Sequence, residues 1–259
     1  MYPYLDIFGM SIPSYGLCMA VGILLSFYIC FVRARKNKLD IDSLIVIAAC
    51  AVGLGLVGSK LLYLFVSCDI NEVFERLSRG DISDLAGGGQ VFYGGLIMGI
   101  IGAFLGVRIS GSCGETALYC DAVVPAIPLG HAFGRIGCFL AGCCYGAPYT
   151  GFCAVTFPSV GVTEPVFPIQ LLEAVLNLII FAILLIPRKR LKSGFATLYL
   201  YLTLYSVVRF TLEFFRGDEI RGFAQGLSTS QWISIGLFVC GFVLILITAK
   251  QKKLASQAV

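Results

Sequence analysis

Hydrophobic positions in this chain fall in long unbroken runs, not in the alternation of a half-buried strand or the narrow stripe of a soluble helix. Seven runs stand out, at about 15–32, 43–66, 93–109, 117–140, 169–187, 194–215 and 229–248. About 20 apolar residues carry a helix across a bilayer. The pattern therefore predicts an all-α integral membrane protein with about seven transmembrane helices. The third run is short and follows a Gly-rich stretch (Gly87, Gly88, Gly89, then Gly94 and Gly95). That predicts a broken or re-entrant entry, a backbone tolerated at membrane depth only when it is buried in protein or lines a polar cavity. No internal repeat is visible, which argues against an inverted-repeat transporter and for a single polytopic domain over 1–259. The first run is followed, not preceded, by its basic cluster, the wrong order for a cleavable signal peptide.

Composition sharpens this picture. Of the 259 residues 58% are hydrophobic and 13% charged, against about 45–50% and about 25% in soluble domains. That excludes a water-soluble enzyme and a disordered or collagen-like chain. Four of the eleven cysteines, Cys18, Cys30, Cys50 and Cys240, lie inside apolar runs, where they act as small hydrophobes.

The net charge of +4 is a product of topology and not a nucleic-acid signature. Twelve Lys and Arg residues fall on one side of the predicted membrane (Arg33, Arg35, Lys36, Lys38, Arg108, Arg188, Lys189, Arg190, Lys192, Lys250, Lys252, Lys253). Four fall on the other: Arg76, Arg79, Arg216 and Arg221. By the positive-inside rule the N-terminus is outside and the C-terminus cytoplasmic. Two non-cytoplasmic segments, about 67–92 and 142–168, are long enough to cap the membrane surface. The second has no Lys or Arg and a β-like spacing from Phe152 to Phe157.

Lys60, Arg135 and Arg209 remain within spans or at their edges. A charge at the centre of a span costs at least about 2.5–3.5 kcal/mol, so it normally faces a cavity and has a task. In the sixth run Tyr201, Tyr205, Arg209 and Glu213 are spaced by four, with Arg216 three further on, which places all five near one helical face. A structural Arg–Glu pair accounts for the outer end; a polar, anion-facing stripe accounts for more of the pattern. The fourth run carries Asp121, Pro125, Pro128, His131 and Arg135. His131, the only histidine, is open to two readings: a buried imidazole bonded between helices, or a base. The two arginines lack an obvious full set of carboxylate partners, which points to an anionic ligand. Phosphate fits, since a guanidinium binds it bidentately. The segment from Gly134 to Gly146 is rich in small residues that admit close backbone approach. Its cysteines, Cys138, Cys143 and Cys144, could bind metal, form a redox pair or pack. Their spacing is not that of a zinc site, a Cys143–Cys144 disulfide would be strained, and packing is the default expectation.

The run Gly134-Arg135-Ile136-Gly137-x-Phe139-x-x-Gly142-x-x-x-Gly146 resembles the signature of the bacterial prolipoprotein diacylglyceryl transferase family. Other segments follow in family order: Ser14-Tyr15-Gly16-Leu17, Gly58-Ser59-Lys60-Leu61-Leu62-Tyr63, Phe92-Tyr93-Gly94-Gly95-Leu96, Pro168-x-Gln170-Leu171-x-Glu173 and Arg209-x-x-x-Glu213-Phe214-Phe215-Arg216. The chain departs from the family pattern at four site positions. Tyr93 replaces a histidine, Cys138 an asparagine, Ala141 an asparagine and Cys143 a glutamate; Lys60 also stands for an arginine.

The resemblance implies a multi-pass enzyme of the bacterial plasma (inner) membrane that moves the diacylglyceryl group of phosphatidylglycerol onto the lipobox cysteine of a prolipoprotein. The product is a thioether, and glycerol 1-phosphate leaves. It further implies that Arg135 and Arg209 hold the phosphate and that Tyr15, Tyr93 and Tyr205 orient headgroup and thiol. Gly134, Gly137, Gly142 and Gly146 would line the lipid site, and Glu213 and Arg216 would shape its outer mouth, with Gln170 and Glu173 in support. His131, one turn before Arg135, is the available substitute for the missing histidine; the field of the two arginines is the other means of favouring thiolate. The expected partners are phosphatidylglycerol, lipobox peptides and the bilayer, with no nucleic acid, metal or cofactor, and a monomeric chain. Two further classes stay open: a non-enzymatic lipid- or anion-binding or transport protein, and a thiol-redox membrane enzyme using Cys138, Cys143 and Cys144.

Overall fold

The computed structural model describes residues 2–7, 9–67, 73, 78–79, 91–186, 195–216, 223–224 and 226–257. Eight helices and three short hairpins are found among them. In chain order they are β1 (Tyr4–Ile7), β2 (Met10–Pro13), α1 (Ser14–Lys36), α2 (Ile41–Ser67), α3 (Phe92–Ile109), α4 (Thr116–Val123) and α5 (Ala126–Ala141). There follow β3 (Val155–Phe157), β4 (Val162–Val166), α6 (Ile169–Leu185), α7 (Ala196–Leu212), β5 (Phe223–Ala224), β6 (Leu227–Ser228) and α8 (Thr229–Gln257). Five helical segments are long and apolar enough to cross a membrane, or six if the bent pair α4–α5 forms one span. α6 is apolar but has 17 residues. Large apolar side chains on these helices face outward, among them Leu24, Phe65, Phe104 and Ile109, each more than 60% exposed. Exposed apolar surface on this scale fits lipid and not water. The protein is thus a mostly helical, multi-pass membrane protein.

The chain divides into two compact units, residues 34–119 and the remainder. In the smaller unit, α2 and α3 pack backbone to backbone. A side chain at Gly94 would collide with the Gly58 carbonyl, and one at Gly106 would stand 2.6 Å from the Ile47 Cα. Such contact between small residues is how membrane helices gain packing energy where lipid offers no hydrophobic drive. Gly94 and Gly95 therefore belong to one continuous helix, and the broken entry expected there is absent from residues 91–109. Gly87, Gly88 and Gly89 lie outside the described residues, as do Arg76, Arg221, the basic cluster at 188–192 and most of the first cap segment.

In the larger unit the break occurs in the fourth apolar run instead: α4 and α5 meet at 43°. Pro125 has no N–H, which frees the Asp121 carbonyl four residues back. Arg33 Nη2 donates to that carbonyl at 2.9 Å and also lies 3.3 Å from the Asp121 carboxylate, while Thr197 Oγ1 donates to the carboxylate's other oxygen. Asp121 therefore clamps the bend to α1 and α7 and does not join the His131–Arg135 cluster.

On the far side of the bend α5 lies against α1 through a glycine face. A Cβ at Gly130 would meet Ser26 Oγ at 3.1 Å, one at Gly134 would meet Met19 Sδ at 3.4 Å, and one at Gly137 would meet the Tyr15 ring at 3.1 Å. The opposite face is left for α6. Val124, Ile180, Leu184 and Tyr201 form a buried cluster where α6 and α7 meet. The predicted β-like cap is a hairpin, β3–β4, whose Phe157 is fully buried and stacks on Tyr145 at 5.7 Å. The N-terminal hairpin β1–β2, anchored by Ser14 donating to the Pro3 carbonyl, was hidden ahead of the first apolar run.

Replacing Gly94 by Val should overpack the α2–α3 contact at a cost of about 1–3 kcal/mol, read as a lower thermal midpoint in detergent. Gly53→Ala, at a position with nothing within 4 Å of a new Cβ, serves as control. An unshifted midpoint for Gly94→Val would contradict this packing.

Candidate functional site

The site is built around a carboxylate. Gln170, Glu173 and Asn177 occur at spacings of three and four on α6, and all three side chains are buried within an otherwise apolar helix, Glu173 at 1% exposure. Glu173 faces the polar stripe of α5. Its Oε1 lies 3.3 Å from His131 Nε2 and its Oε2 3.1 Å from Arg135 Nε. A buried carboxylate needs such partners to remain charged, and one carboxylate here serves two bases a single turn apart.

Asn177 Nδ2 donates to the Glu173 carbonyl at 2.8 Å, and Gln170 Nε2 donates to the Cys143 carbonyl at 2.8 Å. The latter bond ties α6 to the segment beyond α5. Arg135 is engaged through Nε, so its two terminal nitrogens remain as donors. Tyr205 lies close enough to act electrostatically on Arg135, and its ring centre is 5.7 Å from that of His131 and 5.6 Å from that of Tyr201.

Arg209, on α7, sits in a second polar nest. Its Nη2 is 2.8 Å from Glu213 Oε2 and donates to Ser230 Oγ at 3.0 Å. Ser230 is placed by a capping box at the start of α8: Gln231 N–H donates to Ser228 Oγ at 3.2 Å, and Ser228 N–H donates to Gln231 Oε1 at 2.9 Å. Arg209 Nη1, in contrast, is buried and meets no hydrogen-bond acceptor among the described residues. A buried donor without an acceptor is costly and rare, and here it belongs to a cation. Arg209 also acts electrostatically on Glu173, so the two nests share one field.

Each arginine thus has a carboxylate neighbour, Glu173 for Arg135 and Glu213 for Arg209, which corrects the expectation that they lack partners. Each nevertheless keeps guanidinium donors to spare. The ladder on α7 is also shorter than its spacing predicts. The helix ends at Leu212 and tightens into a 3₁₀ turn over Glu213–Phe215, and Arg216 is extended at φ −92°, ψ 137°. Arg216 is therefore off the face shared by Tyr201, Tyr205 and Arg209.

Gly142 ends α5 in the left-handed region (φ 75°), and its Cβ position is blocked by Val160 at 2.9 Å. A Cβ on Gly146 would sit 2.7 Å from the Phe215 carbonyl and 2.9 Å from that of Phe167. These glycines of the signature hold the cap hairpin against the helix end. Gly137 seats Tyr15, which is 42% exposed. Tyr15 also lines an open cleft of about 640 Å³ with Tyr2, Tyr4, Ala141, Ser159 and Val160; neither arginine lines that cleft. Tyr93 belongs to the other unit, where it stands in the first turn of α3, 48% exposed and edge-on to Phe92.

Sequence reasoning singled out both arginines, His131 and Glu173, but not that Glu173 joins His131 to Arg135. Ser230 and Asn177 were missed. The 170–173–177 polar stripe inside an apolar run was the available signal for Asn177, and Ser228-x-x-Gln231 the signal for the helix start that positions Ser230.

A family model described as prolipoprotein diacylglyceryl transferase matches residues 3–247. Among similar proteins, a phosphatidylglycerol–prolipoprotein diacylglyceryl transferase of Clostridium tetani is 36% identical over 240 residues, covering 91% of this chain and 93% of the relative. The enzyme of that name numbered 2 in Clostridium perfringens is 33% identical over 243 residues, 92% of each chain. That of Finegoldia magna is 29% identical over 251 residues, 95% of each.

Proposed function

This chain belongs to the prolipoprotein diacylglyceryl transferase family, and on that premise we propose how its own residues carry the transfer from phosphatidylglycerol to the cysteine thiol of a prolipoprotein. The observation that carries the reading is the pair of membrane-embedded arginines with donors left over, one of them the buried Nη1 of Arg209. A phosphodiester supplies both the negative charge and the acceptor oxygens these donors lack.

In the transfer, the acceptor sulfur forms a bond to the glyceryl carbon. The bond from that carbon to the phosphate oxygen breaks, and its electron pair leaves with glycerol 1-phosphate. Charge therefore grows on the phosphate as the reaction proceeds, and preoriented guanidinium donors stabilise that change most. Glu173 pairs with Arg135 at Nε, aiming the terminal nitrogens, and its charge beside His131 Nε2 favours a ring proton there. That leaves His131 Nδ1 as the ring's basic nitrogen to receive the thiol proton. Tyr205 and Tyr15 flank this centre as headgroup contacts, and Glu213 and Arg216 border the outer mouth.

The membrane arrangement belongs to the same reading: seven spans in a bacterial inner membrane, with α4–α5 as one bent span, α6 as a short one, the N-terminus outside and the C-terminus cytoplasmic, and the chain acting as a monomer. The charge asymmetry of the loops supports this orientation. Reporter fusions at the two termini check it. Alkaline phosphatase should be active at the N-terminal end alone, and activity at the C-terminal end would reverse the orientation.

Arg135→Ala and Arg209→Ala should each lower release of glycerol phosphate from phosphatidylglycerol vesicles in the presence of a lipobox peptide by about 100-fold or more, as loss of an oxyanion donor does, while the protein still inserts in the membrane. Near-normal turnover in Arg135→Ala would sink the assignment.

A further inference from the structure

The three thiols expected to pack do not. Cys143 and Cys144 are exposed, Cys138 is half-buried, and their Sγ atoms all lie within 4.8 Å of one another. The helix end is what gathers them. Gly142 N–H donates to the Phe139 carbonyl at 3.2 Å, and Cys143 N–H donates to the Cys138 carbonyl at 3.1 Å. This is the paired bonding of a Schellman cap, which sets the side chain after the glycine against the one five residues before it. In most such caps those two side chains are apolar; here both are cysteines. Cys144 completes the group from a left-handed backbone (φ 58°) that is unfavourable for a residue with a Cβ. The loop is not free to relax away. Gln170 holds the Cys143 carbonyl, Gly146 N–H donates to the Phe167 carbonyl at 2.9 Å, and Ala147 N–H donates to that of Phe215 at 3.1 Å.

We propose that Cys138, Cys143 and Cys144 form a three-thiolate site for one divalent thiophilic cation of the zinc class, with a fourth position open to an incoming thiol. Zinc holds sulfur at about 2.3 Å in a tetrahedron, so its ligands stand about 3.8 Å apart. Thiols within 4.8 Å of one another reach that spacing by side-chain rotation on the order of 1 Å. Each thiol loses its proton to solvent on binding. Three thiolates on a divalent ion leave a net charge of −1, and Arg135 and Arg216 both lie close enough to act electrostatically on Cys144. Of the chain's departures from its family's pattern, two, Cys138 and Cys143, supply ligands of this one cluster.

Three protein ligands make an open site of the catalytic type and not a closed structural one. In a protein whose acceptor substrate is a thiol, the open position suits that thiol, which would bind as thiolate. This last step rests on the transferase reading; the metal site does not.

Anaerobic titration of the reduced full-length protein in detergent with Co²⁺ should give thiolate-to-metal charge-transfer and tetrahedral d–d bands saturating at one ion per chain, displaced by Zn²⁺. Cys138→Ser/Cys143→Ser/Cys144→Ser should abolish them, and Cys113→Ser, at an exposed cysteine elsewhere, should leave them unchanged. Should the triple variant fail to fold, Cys143→Ser/Cys144→Ser changes only residues beyond the helix end. It should weaken binding by more than the about 10–100-fold that loss of an outer-shell partner costs. Adding a lipobox peptide should shift the d–d bands, and its Cys→Ser version should not. Reduced protein that takes up no stoichiometric ion, or uptake unchanged in the triple variant, overturns the site. Uptake with bands indifferent to the peptide overturns the open-position role, whatever the transfer assay shows.

Discussion

A single buried carboxylate organises the larger unit. Glu173 sits in an apolar helix with no access to water, where an unpaired charge would be prohibitive. Its partners, His131 and Arg135, are one turn apart on α5, so the ion pair fixes the rotation of α5 against α6. Once that rotation is set, the glycine face of α5 must turn to α1, and Gly130, Gly134 and Gly137 are the residues that let it approach. Breaking such a buried pair by removing one partner costs about 3–5 kcal/mol. The Gly134–Gly146 signature and the helix packing are therefore one constraint seen from two sides.

The same geometry divides labour between the arginines. Arg135 is oriented by Glu173 and keeps its terminal nitrogens, while Arg209 is oriented by Glu213 and by Ser230 and keeps Nη1. Carboxylates that take only part of each guanidinium neutralise the resting site and fix donor direction. Under the proposed assignment they leave the site able to respond when charge develops on a bound phosphate, which is where binding energy accelerates a reaction. In the reading we propose, this partial pairing is how the two arginines suit a phospholipid substrate.

Most of the architecture was legible because a bilayer leaves so few solutions: an apolar run of span length reads as a helix whatever packs against it. What escaped depends on tertiary partners. Two prolines, Pro125 and Pro128, mark the fourth run as a place where a helix loosens, but only the structure shows Arg33 taking the freed Asp121 carbonyl. The four-residue ladder on α7 predicted a shared face for Arg216, and the 3₁₀ turn at Glu213–Phe215 removed it. Glycines 94 and 95 read as a break because flexibility and close packing leave the same mark in a sequence; here they pack. The cysteines read as filler because spacing alone hides a helix cap, whose 6→1 contact brings Cys138 and Cys143 together. The orientation rests on charge patterning along the sequence, and the basic cluster at 188–192 that contributes to it falls outside the described residues.

The central claim is that Glu173 works through Arg135 and His131, not as an independent packing residue. A double-mutant cycle on glycerol phosphate release measures this directly, with Arg135→Gln, Glu173→Gln and the double variant compared by kcat/KM. The account predicts strong non-additivity, the double variant falling short of the product of the two single losses by about tenfold or more, a coupling of about 1.4 kcal/mol. Losses that simply multiply would show that the two residues act separately, and would contradict it.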